Sequence, residues 1–388
     1  MSPAPSLEPD SLIQRSVDLT GLDDFGDVPF LEPLEVLVHS LVHDAQVEGP
    51  ALDRAHEMLT GVLVKRLRLV SDRKQHPEIE REEIDRPVFI VGPPRSGSTH
   101  LHALLACVSG MRAPLFWEMS APSPPPDRVT FDRDPRIALV QKVIDEMPQG
   151  LMVRHPMSAT RPEQCNLLND WSFINQAWTA SFHIPSYVEW LLDADFGPAY
   201  EAHRRTLQHL QWRVPGRWVL KYPKHLLAMP ALLNVYPDAL FVWTHRDPAV
   251  VIPSAVSLTA FMRESNTPGF DPVGFGREWV VMEELALQRG IAGRDRGLYP
   301  SDRNTDVHFA TLMSDPESMV ANICRRIGAD FGDDSRRRLA AWTDSHPRTQ
   351  HGVHRYRAAD FGLDPGRLRD RFAFYTHRFD VDPEAPDQ

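Results

Sequence analysis

The chain has 388 residues, 42% apolar and 24% charged, enough for a large core and ordinary for a globular protein. Its net charge of −11, from 53 acidic against 42 basic residues, disfavours nucleic acid as a partner, because a phosphate backbone calls for a basic face. The 3 cysteines, Cys107, Cys165 and Cys324, have no paired spacing, so a reducing compartment is expected, with neither a disulfide scaffold nor a zinc site.

Met1 to Asp10 shows neither a basic nor an apolar leader region, so no signal peptide is expected. No apolar run approaches the ~20 residues that span a bilayer, which excludes a transmembrane segment and leaves a cytoplasmic setting as the expectation. Residues 1 to 24 are polar and proline-rich and read as a loose arm. Leu34, Leu37, Val38, Leu41 and Val42 then recur at helical spacing, and Leu52, Ala55, Leu59, Val62 and Leu63 repeat the pattern. The 35 prolines are scattered, apart from the run at 122–126, and imply rigid turns rather than disorder. Pro87 to Val91 is a β-branched and aromatic run ending at a glycine, which predicts a buried parallel strand. A helix is expected from Thr99 to Val108, with further strands at 218–220, 240–243 and 306–309. Strands alternating with helices predict an α/β fold, a P-loop-type parallel β-sheet flanked by helices. The expected division is an N-terminal arm and helical region over 1–85 and an α/β domain over 86–388, packed as one unit.

The strongest motif is Gly92-Pro93-Pro94-Arg95-Ser96-Gly97-Ser98-Thr99. Strand, glycine-rich loop and helix start form a cradle for phosphates, since glycines let backbone N–H groups approach an anion and the helix terminus adds positive partial charge. A nucleotide triphosphatase would carry lysine where Ser98 stands. Here the cation is Arg95, inside the loop, which suits an anion without a γ-phosphate. A second motif is Arg246-Asp247-Pro248 at a strand end, with Ser254 on the helix that follows. Arginine supplies a planar fork for phosphate and serine a hydroxyl donor. Asp247 would cap that helix and Pro248 would start it.

Together the two motifs resemble the sulfotransferase superfamily: a 5′-phosphosulfate loop, then the arginine and serine of a 3′-phosphate site. The loop arginine is similar to that of a bacterial branch related to protein-tyrosine sulfotransferases. Trp218 to His225 resembles the family's Leu-Lys-x-Pro strand end. Phe309 to Pro316, His354-Arg355-Tyr356 and Asp360 to Leu363 resemble its later segments. The resemblance implies transfer of a sulfonate group from 3′-phosphoadenosine 5′-phosphosulfate (PAPS) to a hydroxyl, leaving 3′-phosphoadenosine 5′-phosphate (PAP), with no metal. It places Pro94, Arg95, Ser96, Gly97, Ser98, Thr99, Arg246 and Ser254 at the cofactor, and Lys221 near the leaving oxygen. A general base must take the acceptor proton, and the arginine-loop relatives use a glutamate. Glu118, beside Trp117, and Glu163, in a Pro-Glu motif, are both candidates. His100, His102 and His155 are expected to be structural.

Trp171, Phe173, Trp178, Phe182, Tyr187 and Trp190 form either an aromatic core or the wall of an acceptor pocket. In the second case a phenol, a lipid alcohol or a glycolipid is the small-molecule acceptor. A homo-oligomer is compatible with the sequence. A P-loop kinase or triphosphatase, and a non-catalytic nucleotide-binding protein, are the alternatives; the missing loop lysine opposes the first and the intact Arg95, Lys221, Arg246 and Ser254 the second.

Overall fold

The computed structural model describes residues 6–267, 269–346 and 354–385. Five parallel strands form one sheet: β1 (Val88–Val91), β2 (Met111–Arg112), β3 (Arg217–Lys221), β4 (Leu240–His245) and β5 (Asn304–His308), in the order β2-β3-β1-β4-β5. The central strand β1 pairs Val88 with both Val219 and Leu240. Side chains alternate across the sheet, so both faces can be buried. Phe89, Val91, Trp218, Leu220, Phe241 and Trp243 enter one core, while Val88, Ile90, Val219, Val242 and Val307 enter another. The expected α/β architecture is therefore the observed one. β2 went unread because two residues carry no periodicity. The last strand ends one residue earlier than expected, since Phe309 opens a helix.

Helices α1 (Pro9–Thr20), α2 (Leu31–His43) and α3 (Gly49–Gln75) form an N-terminal layer. The expected loose arm is partly wrong. Pro9 supplies a pre-set first helical turn, and Leu12 and Ser16 are fully buried against the layer. The layer joins the rest of the chain through buried cations. Arg66 on α3 is completely buried; its Nε donates to the Phe25 carbonyl at 2.7 Å and one terminal nitrogen to the Trp171 carbonyl at 3.0 Å. Beside it, Lys65 pairs with Asp170 at 2.5 Å. The aromatic segment belongs mainly to this core: Trp171, Phe173, Trp178, Phe182 and Tyr187 pack with residues of α1–α3, and Trp190 packs against them. No helix among the described residues is long and apolar enough to cross a membrane.

Candidate active site

The loop at 92–99 joins β1 to α4 (Ser98–Ala106) at the carboxyl edge of the sheet. Gly92 has φ of +116°, and a Cβ there would sit 2.3 Å from the Thr244 carbonyl oxygen, so only glycine lets β1 and β4 stay this close. Arg95 also lies in the left-handed region, at φ of +65°, where a non-glycine residue costs about 1–3 kcal/mol and persists only if its surroundings hold it. They do. Its Nε donates to Ser254 Oγ at 3.2 Å, and a terminal nitrogen donates to the Arg154 carbonyl at 3.1 Å. Burial pulls its pKa below the ordinary arginine value; Tyr356 opposes that fall and Arg246 adds to it. A cation deprived of water in this way gains from an anion set against it. Ser96 serves the loop itself: its fully buried hydroxyl donates to the Pro93 carbonyl at 2.5 Å and meets Thr244 Oγ1 at 2.6 Å.

Asp247 accepts from the Ala249 N–H at 2.9 Å and caps the helix Pro248–Glu264, with Pro248 at its start. This turn sets Arg246 and Ser254 beside the loop. One terminal nitrogen of Arg246 donates to the Arg95 carbonyl at 3.2 Å, and its guanidinium lies 3.8 Å from the Phe309 ring centroid. Its other edge meets the Glu384 carboxylate, at 3.0 Å from Nε and 2.9 Å from the second terminal nitrogen. The Glu384 backbone N–H donates to Asp247 at 2.8 Å, and Arg369 donates to the Glu384 carbonyl at 2.6 Å. Arg246 thus already grips an oxyanion with its fork, the geometry a phosphate would require.

Lys221, at the end of β3 and only 2% exposed, donates to Thr99 Oγ1 at 3.3 Å. Burial lowers its pKa, while Glu163 and Cys165 push it back up. Its Nζ lies 3.8 Å from Glu163 Oε1. Glu163 also accepts from its neighbour's N–H, Gln164, at 2.7 Å, and its second oxygen meets His155 Nε2 at 2.9 Å. Burial alone would raise its pKa, but His155, Lys221 and the Gln164 N–H together hold this carboxyl well below the usual range. The Glu163 loop is laced to the segment before α5 (Phe116–Ser120), through its own N–H to the Pro114 carbonyl at 3.2 Å.

Glu118 is placed differently. It is fully buried on α5, paired with Arg112 and capping the Leu115 N–H at 3.1 Å. Burial raises its pKa, as expected beside Trp117, although Arg112 opposes the shift. It does not reach the cavity described below, so its geometry does not support the role of base. Of the histidines expected to be structural, His102 is, with its Nε2 2.9 Å from the Val219 carbonyl. His155 instead stands at the site, a position that no local spacing signals, since it meets Glu163 across the intervening turn.

Beneath Lys221 lies a buried polar floor. Cys165 Sγ is 3.1 Å from His225 Nε2, Tyr200 holds His225 Nδ1 at 2.8 Å, and Tyr236 holds His203 Nδ1 at 2.7 Å. Ligand-type atoms of Cys165, His203 and His225 fall within 4.8 Å of one another, but both nitrogens of His225 already have partners.

The loop opens into a cavity of about 1110 Å³. Pro94, Arg95, His155 and Glu163 line its reactive end, and Leu167, Trp178, Ile184, Leu258, Met262 and Phe275 are among its apolar walls. Only Trp178 of the expected aromatic set lines it. The 175–192 segment supplies part of the wall, and the helices Pro248–Glu264 and Pro272–Asp295, distant in sequence, supply more.

Residues 87–333 match the profile of the sulfotransferase family. Sulfotransferase STF1 from Mycobacterium tuberculosis H37Rv is a similar solved structure, 31% identical, with a TM-score of 0.84 over 96% of this chain and 99% of that one. Sulfotransferase STF9 from Mycobacterium avium is 27% identical, with a TM-score of 0.88 over 97% of each chain. Among curated proteins, the omega-hydroxy-beta-dihydromenaquinone-9 sulfotransferase Stf3 of Mycobacterium bovis is 27% identical over 266 residues. That match spans 64% of this chain and 64% of the relative, less than two thirds of its length. With a family profile over well more than half its length and a solved sulfotransferase matched almost end to end, the chain is an enzyme that belongs to the sulfotransferase family.

Proposed function

We propose that the enzyme transfers the sulfonate group of PAPS to the hydroxyl of a long, apolar lipid alcohol, leaving PAP. The observation that carries this reading is the meeting of an anion cradle with a large apolar cavity at Arg95. Pockets for drug-sized ligands run to ~300–1,000 Å³, so this one suits an extended chain rather than a lone phenol ring. The relative named for a hydroxylated menaquinone supports the same class.

The residues fit the donor. The loop amides and the start of α4, with Arg95, Ser98 and Thr99, would hold the 5′-phosphosulfate. Arg246 would hold the 3′-phosphate in the place where it now holds a carboxylate, with Ser254 beside it. Lys221 would face the bridging oxygen that leaves with the electron pair, where charge develops. The carboxylate beside the acceptor is Glu163. A chain of apolar groups along the cavity would contribute ~0.8 kcal/mol for each buried methylene.

The test is transfer of labelled sulfonate from PAPS to hexadecanol, geranylgeraniol and 4-nitrophenol, with PAP and 5′-AMP compared by thermal shift. The long alcohols should turn over faster than the phenol, and PAP should raise the midpoint more than 5′-AMP. Faster transfer to the phenol would overturn the acceptor class, and equal shifts would overturn the 3′-phosphate clamp.

A further inference from the structure

We propose that His155 takes the acceptor's proton and that Glu163 is the positioning residue that holds its imidazole. This rests on the sulfonate-transfer reading above and adds a role that a glutamate base would not need.

Glu163 is poorly placed to act alone. One carboxylate oxygen meets His155 Nε2, and the other accepts from the Gln164 N–H with Lys221 close by. The side chain is about nine-tenths buried. A proton arriving there competes with groups that already favour the ionised carboxylate. The same partners hold the carboxyl well below its usual range, which weakens any drive to bind a proton.

His155 has the complementary arrangement. Its Nε2 faces Glu163, while its Nδ1 makes no hydrogen bond to any described residue. Its side chain is 18% exposed and lines the cavity with Arg95 and Glu163. It also follows Arg154 directly, and the Arg154 carbonyl grips Arg95. The turn that fixes the loop arginine therefore fixes the histidine next to it. A carboxylate on Nε2–H sets the neutral tautomer whose Nδ1 lone pair is the base, and it stabilises the imidazolium that forms. Glu163 is an anion in hydrogen-bond contact with the ring.

In the step, the acceptor oxygen forms a bond to sulfur as its proton passes to His155 Nδ1. The bond from sulfur to the bridging phosphate oxygen breaks, and its electron pair stays on PAP. The proton then leaves the imidazolium to water, restoring the base.

The experiment compares His155→Ala, His155→Gln and Glu163→Gln in the full chain, with PAPS as donor and geranylgeraniol as acceptor. His155→Ala should lower kcat by ~10² to 10⁴ with the PAP thermal shift unchanged, and added imidazole should restore part of the rate. Glu163→Gln should lose less and gain nothing from imidazole. His155→Gln fills the site without a base and should match the alanine variant without imidazole, which covers the case that alanine destabilises the fold. Parent-like turnover in either His155 variant would overturn the proposal. So would a Glu163→Gln loss exceeding that of His155→Ala, with no imidazole rescue. A parent enzyme that neither transfers to any alcohol nor responds to PAP would sink the sulfonate-transfer reading itself, whereas an active parent with parent-like His155 variants sinks only the role of His155.

Discussion

Glu118 and Glu163 are both buried carboxylates beside cations, yet they differ in partners, in access to the cavity and in the direction of their pKa shifts. Glu118 meets one guanidinium inside the protein, and burial dominates its pKa. Glu163 meets a histidine, a lysine and a backbone N–H at the wall of the cavity, and those partners outweigh burial. Burial next to an aromatic ring is therefore a weak sign of a base. Access to the space where substrate would lie separates the two residues, and one-dimensional spacing does not carry that information.

The comparison can be broken by asking which measurement each residue moves. The largest effect should be on stability. Glu118→Ala strands Arg112, which is itself buried against Trp218, and breaking a buried pair from one side costs about 3–5 kcal/mol. Denaturant unfolding should show this loss, while the folded fraction keeps its turnover per molecule. Normal stability would mean that Arg112 finds other partners and that the pair is not structural.

A smaller effect belongs to the cavity side. Arg246→Ala should weaken PAP by ~1.5–3 kcal/mol, the range for hydrogen bonds to charged groups. Binding of 5′-AMP should change much less, because it lacks the phosphate that Arg246 would meet. Isothermal titration gives both numbers, and an equal loss for the two ligands would place Arg246 elsewhere than at the 3′-phosphate.

The smallest effect, and the one that sharpens the comparison most, is its opposite pH signature. The folded pKa of Glu163 lies below the ordinary value of 4.5, so its contribution is present above that pH and is lost as the pH falls through the folded value. The folded pKa of Glu118 lies above 4.5, so the folded state holds its proton more tightly, and stability is lost as the pH rises from there through the folded value. Thermal midpoints across the acid range should show Glu163→Gln removing a loss below pH 4.5 and Glu118→Gln removing a loss above it. Parallel profiles would refute the contrast.

Much of the scaffold was readable because its signals are local. Gly92 stands where only glycine lets β1 and β4 approach so closely, and Asp247-Pro248 starts a helix with the Asp247 cap in place. The unreadable parts depend on contacts between distant segments. Most rings of the aromatic cluster turn away from the cavity, because Arg66 and Lys65 tie that segment to the N-terminal layer, while helices distant in sequence complete the walls. α1 was missed since one leucine and one serine carry its buried face. His155 and Glu384 reach their partners across turns and tails that have no periodicity.

Glu384 on Arg246 has one more consequence. Under the proposed reading, donor binding at this point is an ion exchange: one oxyanion leaves as another arrives. The tethered carboxylate competes at an effective concentration of the order of millimolar, as short linkers provide. A stray chloride or acetate must beat that internal rival with a single weak contact. A donor held at both its 5′ and 3′ ends displaces it with help from the loop. Under that reading the Glu384 carboxylate would raise the threshold for a small anion at Arg246, and a donor held at two points would cross it more readily.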